Sequence, residues 1–392
     1  MTISTYRTRL GLALCARLKR FSSRMRSMQI QQARFSVVML CVMLLGYMGP
    51  VHAVENDEPQ ETDQSEKAYD QAADGERRAK VAGESLIGQP GPDMSITTLD
   101  GDTIELGKLY GKKPVYIKFW ATWCVPCRQQ MPGFQKFQEE HGDDIQVIAV
   151  NTGYADTAEA ARAYREEMGL TMPITVDDGA LAKALNLRVT PQHVLIDRQG
   201  HIAYIGHRDD KALDEALKAL LESDEQDDTA DRGAEVEDVD ASVLTVGDTI
   251  TNMSVTTRDE KMIDLSRAGA DQPVGMVFFA TWCESYLAES KPETAVACRR
   301  VRNTVNQLSK DGDMQWVGII SGLWTKESDV ERYLADTPTD IPVMLDAQGE
   351  LHRTFGIQQI PAVVLISANG KVVEKLGPQN NTLAEAVERI SQ

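Results

Sequence analysis

In this 392-residue chain, the stretch whose residue types and spacing can do chemistry is Cys124-Val125-Pro126-Cys127. Two cysteines three apart at the start of a helix lie on one face within a single turn and close a short disulfide with little backbone movement. A thiol at a helix N-terminus meets free backbone N–H groups and the positive end of the helix dipole. Both lower its pKa and make it an attacking thiolate at neutral pH. Cys124 takes that position, exposed at the helix tip. Cys127, one turn in, is expected to be more buried and to act second, resolving a mixed disulfide. Pro126 suits the first turn, where its missing N–H costs no helical bond. The competing chemistry for such a pair is half of a zinc site. Tetrahedral zinc needs two more ligands at workable spacing, and this half of the chain has no second CxxC; His193 is a lone further candidate.

The elements that must hold this pair are legible around it. Residues 114–121 form an apolar run broken only by Lys118, as expected of a buried central strand. A helix is expected from Cys124 or Val125 to about Glu140, interrupted by Pro132. A strand follows at 145–150, a helix at 157–168, and strands at 192–197 and 202–205 around the turn Arg198-Gln199-Gly200. A last helix spans 211–221, with Leu213, Leu217 and Leu220 on one face. Strands alternating with helices and ending in a hairpin describe an α/β fold, a mixed sheet with helices on its faces.

The pattern occurs twice. IKFWATWC (117–124) matches MVFFATWC (276–283) at an offset of 159, and MSITTLDGDTIEL (94–106) matches MSVTTRDEKMIDL (253–265) at the same offset. Both upstream segments read as hairpins, with turns at Asp100-Gly101 and Asp259-Glu260. Downstream, RVTPQHVLIDRQGHIAYIG (188–206) matches IQQIPAVVLISANGKVVEKLG (357–377) at an offset of 170, so the second copy carries about 11 extra residues. The expected organisation is an N-terminal signal over 1–53, an acidic linker over 54–85, a first domain over 86–221, an acidic linker over 222–242 and a second domain over 243–392. Both linkers are rich in Asp and Glu and poor in large apolar side chains, which predicts disordered or loosely helical spacers and no fixed orientation between the domains.

Charge and cysteine usage narrow the function. The formal net charge is −18, and residues 1–53 hold eight basic and no acidic side chains; the remainder has 33 basic against 59 acidic, or −26. Such a surface repels nucleic acid and anionic membranes, so no nucleic-acid partner is expected. The basic stretch to Arg34, the apolar run over 35–48, the breaker Gly49-Pro50 and the small-residue end Val51-His52-Ala53 describe a secretory signal, with an uncleaved anchor as the other reading and Met25 or Met28 as alternative starts. Export places the rest in the periplasm. Four cysteines in over 300 exported residues are too sparse for a disulfide-stapled scaffold, and the close pair points to thiol chemistry instead.

ATWCVPCRQQMP resembles the active site of the thioredoxin superfamily, specifically the exported TlpA/ResA-like thiol–disulfide oxidoreductases, over roughly residues 86–221 and more weakly over 243–392. The resemblance implies two thioredoxin-like domains, each with an N-terminal β-hairpin. It also implies that Trp123 flanks the nucleophile, that Cys124 attacks and that Cys127 resolves. Val189-Thr190-Pro191 matches the family's cis-proline loop, which offers backbone groups to an extended substrate. No cofactor is implied beyond a redox-active Cys124–Cys127 disulfide. Partners would be protein disulfides or dithiols, and a membrane electron-transfer partner would re-reduce the pair. Two positions depart from the family: Lys118 stands where thioredoxins bury an Asp, and Gln130 where some ResA-like members carry a Glu. Lys118 either faces the pair or extends its stem to solvent.

The second copy keeps Trp282-Cys283 and Ile360-Pro361 but has Tyr286 at the resolving position. Three readings are open for Cys283. It pairs with Cys298, although residues 284–298 as one helix would hold the two about 22 Å apart at ~1.5 Å per residue unless Pro292 and the insertion break it. Alternatively it acts as a single thiol, with Glu284 slightly opposing its ionisation. In the third reading the domain is non-catalytic and binds client or sets orientation. Trp324, in a loop after a strand, is a candidate for partner contact. The leading function is an exported protein-disulfide reductase. The alternative from another class is a copper- or metal-handling thiol protein with Met94 or Met131 as a third soft ligand.

Overall fold

The structure, a computed structural model, describes residues 61–222, 243–266 and 272–390, with side chains from Asp70 onward. The expected signal, the first residues of the first linker and residues 223–242 of the second lie outside these. Two five-stranded sheets carry the fold. In the first, the strands are β3 (Val115–Trp120), β4 (Gln146–Asn151), β5 (Ile174–Val176), β6 (Gln192–Ile196) and β7 (Ile202–Gly206), in the order β5-β4-β3-β6-β7. The second repeats that order as β12-β11-β10-β13-β14, with β10 (Val274–Phe279), β11 (Gln315–Ser321), β12 (Val343–Asp346), β13 (Ala362–Ile366) and β14 (Val372–Leu376). Each central strand pairs parallel on one side and antiparallel on the other, so both sheets are mixed. The expected hairpins are β1 (Ser95–Thr97) with β2 (Thr103–Glu105), and β8 (Ser254–Thr256) with β9 (Met262–Asp264). Both domains are thioredoxin-like.

Helices cover the sheets: α2 (Val125–His141), α3 (Ala158–Met168), α4 (Ala180–Ala184) and α5 (Lys211–Glu222) in the first domain. The second has α6 (Cys283–Ser290), α7 (Pro292–Leu308), α8 (Glu327–Asp336), α9 (Glu350–Thr354) and α10 (Leu383–Ile390). Pro132 does not interrupt α2, which runs unbroken through it.

The first linker is not a spacer over its whole length. Residues Glu61–Gly83 form a 23-residue helix, α1. Its Ala79 and Ala82 are fully buried, Ala79 in the core with β3 and β6 residues. Composition pointed to solvation because the helix buries small alanines and a glycine, which carry almost no hydropathy signal. Gly75 is required by a close approach: a Cβ there would stand 2.4 Å from His207 Nε2.

Strand register locates the insertion. Val115 faces Gln146 in the first sheet and Val274 faces Gln315 in the second, so the offset grows from 159 to 169 between these strands. Ten of the extra residues therefore fall between Cys283 and β11. They turn one helix into two, with Lys291 (φ −142°, ψ 65°) as the break and Pro292 opening α7. Proline lacks the N–H that would continue α6 and is well placed in a first helical turn.

Candidate active site

Strand β3 ends at Trp120 and delivers the loop Ala121-Thr122-Trp123 to the N-terminus of α2. Asp156 fixes that loop: its carboxylate accepts from Thr122 N–H at 2.7 Å, Thr122 Oγ1 at 2.5 Å and Asn151 Nδ2 at 2.8 Å. The Trp123 indole donates to the Tyr154 carbonyl at 2.7 Å. Cys124 is the N-cap of α2, and its sulfur accepts the Cys127 N–H at 3.3 Å. Cys124 and Cys127 form a disulfide with Cα atoms 5.2 Å apart, inside the range such a bond needs. Released as a thiolate, Cys124 keeps the Cys127 N–H and the helix dipole as stabilising partners. The Thr190–Pro191 peptide is cis, and both residues are fully buried or nearly so. His207 Nδ1 donates to the Pro191 carbonyl at 2.7 Å.

Lys118 takes the inward option. It is 1% exposed, donates from Nζ to Gln130 Oε1 at 3.1 Å and lies 5.2 Å from the Phe134 ring centroid. The two departures from the family pattern are thus bonded to each other. The same oxygen accepts from His193 Nε2 at 3.0 Å, which leaves Nδ1 to accept from the Tyr116 hydroxyl at 2.8 Å. Burial holds His193 well below the usual imidazole range, so it is neutral; burial also lowers Lys118 to about 7. Both ring nitrogens of His193 are therefore engaged in hydrogen bonds within the core. Among the described residues, no group of three His, Cys, Asp or Glu is gathered as a metal site.

Cys124 is not exposed at the helix tip. It is 1% exposed and Cys127 is 0% exposed, because the second domain is packed over the disulfide. The Trp123 and Trp282 rings stack with centroids 4.9 Å apart, and Tyr286 meets both edge-on at 6.2 Å. The Tyr286 hydroxyl accepts from the Val125 N–H at 3.2 Å. Lys291, at the helix break, donates to Asp156 at 2.9 Å and to the Ala155 carbonyl at 3.2 Å. Trp324 makes its partner contact within the chain: its N–H donates to the Arg188 carbonyl at 2.9 Å and its indole to Thr190 Oγ1 at 3.3 Å. Arg78 on α1 reaches Asp329 on α8 at 2.8 Å. The expectation of unfixed domains is corrected by these contacts. A cleft of about 410 Å³ remains beside the stacked indoles, lined by Trp282, Tyr286, Trp324 and Tyr333 among others.

In the second domain, Cys283 and Cys298 are a disulfide with Cα atoms 6.4 Å apart. The single-thiol reading of Cys283 is corrected: the break at Lys291 turns α7 back on α6, and the 22 Å separation of a continuous helix never arises. Glu284 is held by Arg302 at 2.6 and 3.0 Å and by Arg299 at 3.5 Å, so its charge beside Cys283 is compensated. Ile360–Pro361 is also cis, and Ile360 is buried in the same apolar cluster as both disulfides.

The Redoxin family pattern matches residues 86–220 and 245–390, one match per sheet. The thioredoxin-like protein YneN of Bacillus subtilis is 38% identical over 133 residues, covering 33% of this chain and 78% of that protein. The thiol-disulfide oxidoreductase ResA of Bacillus thuringiensis is 30% identical over 138 residues, 34% of this chain and 78% of its own length. Among solved structures, a thiol:disulfide interchange protein of the thioredoxin family from Chlorobium tepidum is 24% identical, covering 34% of this chain and 97% of its own, with a TM-score of 0.31.

Proposed function

The chain belongs to the Redoxin family, and on that premise we propose that it is an exported protein-disulfide reductase whose working pair is Cys124 and Cys127. The relatives it matches include ResA, a thiol-disulfide oxidoreductase, and the thioredoxin-like protein YneN, which supports chemistry of that kind. The observation that carries the assignment of the pair is the Cys124–Cys127 disulfide at the tip of α2, with the Cys127 N–H already on the Cys124 sulfur.

The Cys124 thiolate attacks one sulfur of a client disulfide, the other client sulfur departs as thiolate, and Cys127 then displaces the client from the mixed disulfide. The client leaves with two more electrons and Cys124–Cys127 is the oxidised product. Trp123 and the Thr190-Pro191 loop flank the attacked bond, and Pro126 lets the helix open without an unmade bond. The pair works without a bound cofactor. The basic-then-apolar order of residues 1–53 supports export to the periplasm, released or anchored. No helix among the described residues is long and apolar enough to cross a membrane. Electrons then come from a membrane electron-transfer partner.

Insulin-disulfide reduction driven by dithiothreitol tests the chemistry: Cys124→Ser is expected to abolish the protein-dependent rate, and an unchanged rate would end the assignment. Direction is tested by the reduction potential of the Cys124–Cys127 couple. A reductase is expected near the ~−270 mV of thioredoxin; a value near the ~−120 mV of a strong oxidant would reverse it.

A further inference from the structure

We propose that Cys283–Cys298 is a second redox-active pair, and that it exchanges two electrons with Cys124 and Cys127 inside the same chain. The inference rests on the reading of Cys124 as a nucleophile.

Four observations converge on it. One continuous apolar cluster contains all four cysteines of the two disulfides. The residues immediately before the two leading cysteines, Trp123 and Trp282, stack at 4.9 Å, so the two active-site loops meet tip to tip. Tyr286, where a second resolving thiol would stand, instead bonds the Val125 N–H next to Cys124 and sets the register of that meeting. Finally, Cys283 and Cys298 are 1% and 5% exposed, buried together with Cys124 and Cys127 at 1% and 0%, so the two pairs share one enclosed environment while the domains are docked. The cost of ionising Cys283 is also reduced, because Arg302 and Arg299 hold the neighbouring Glu284.

The exchange balances as follows. An external dithiol first reduces Cys124–Cys127 while the second domain is moved off it, and the domains then dock again. The Cys124 thiolate attacks Cys283, forming a Cys124–Cys283 disulfide and releasing Cys298 as thiolate. The Cys127 thiol passes its proton to Cys298, and the Cys127 thiolate attacks Cys124. Cys124–Cys127 is oxidised, Cys283 leaves as thiolate and Cys298 is a thiol. One thiolate, one thiol and one disulfide stand on each side. The fully charged chain therefore holds four electrons where a single pair holds two.

The test follows both pairs in the oxidised, intact chain under native conditions. Limiting dithiothreitol is added, samples are acid-quenched and alkylated, and peptide masses report each pair with time. The expected result is that Cys283–Cys298 opens after Cys124–Cys127 in the natural sequence and at least tenfold more slowly in Cys124→Ser. Cys127→Ser, which attacks but does not resolve, is expected to accumulate a Cys124–Cys283 cross-linked peptide with Cys298 alkylated. Equal opening rates with and without Cys124, while Cys124–Cys127 still cycles, overturn the exchange and leave the proposed function standing. A Cys124–Cys127 pair that never opens in the natural sequence overturns both.

Discussion

Burial sets the Lys118 ammonium against Phe134 and the Gln130 amide, and desolvation lowers its pKa to about 7, with Asp209 pulling the other way. His193 and His207 face the same pocket and are held below the imidazole range by burial. An unfolded lysine titrates near ~10.4. Between pH 7 and 10 the unfolded chain therefore binds more protons than the folded one, and stability rises with pH across that window. Denaturant unfolding at pH 7 and pH 9.5 is expected to show this rise in the natural sequence and to lose it in Lys118→Met, which should also be more stable at pH 7. The reactive pair was legible in the sequence because its chemistry depends on spacing within one turn. The side taken by Lys118 was not, because β3 is buried on both faces and strand alternation gives no polarity to read. Asp156 was also invisible: its partners Thr122, Asn151 and Lys291 come from three separate segments.

At the level of elements, the long strands and helices of the first domain fall within one or two residues of where apolar periodicity put them. Strand β5, with three residues, and α4, with five, are shorter than the window over which periodicity can show. Helix α1 was missed in the opposite way, since alanine burial leaves an acidic segment looking solvated. Its docking makes a sign-reversed prediction. Gly-to-Ala in a helix ordinarily gains up to ~1 kcal/mol, but Gly75→Ala drives a methyl into His207, itself pinned to the Pro191 carbonyl. A loss of ~1–3 kcal/mol is expected from that overpacking, read as a lower urea midpoint. The broken helix makes another. The Cys283–Cys298 bridge closes a loop of about 15 residues, and replacing both cysteines with serine is expected to cost ~2–3 kcal/mol of unfolding free energy by calorimetry. A negligible change would mean that α6 and α7 hold their angle without it.

For the whole molecule, repetition was plain in the sequence because the two copies share local motifs, whereas their docking was not. Tyr286, Lys291 and Trp324 each look ordinary in their own neighbourhoods and acquire meaning only from residues more than a hundred positions away. The docked arrangement buries Cys124, so thiol exchange with an outside protein requires the second domain to move off it. Tyr286→Ala combined with Lys291→Ala removes the phenol over α2 and the cation on Asp156. In the reduced protein this pair of changes is expected to raise the rate of Cys124 alkylation by iodoacetamide about tenfold or more. An unchanged rate, with circular dichroism preserved, would show that docking is not what limits access.

Helix α1 also matters to anyone dividing the chain. Glu76 accepts the His207 and Arg208 amides, and Arg78 spans to Asp329, so one helix clasps both halves of the molecule. A fragment trimmed to the family match at residue 86 loses the clasp along with the segment before it. In such a fragment Cys124 is expected to be alkylated faster than in the intact chain, because one of the contacts between the two halves is gone.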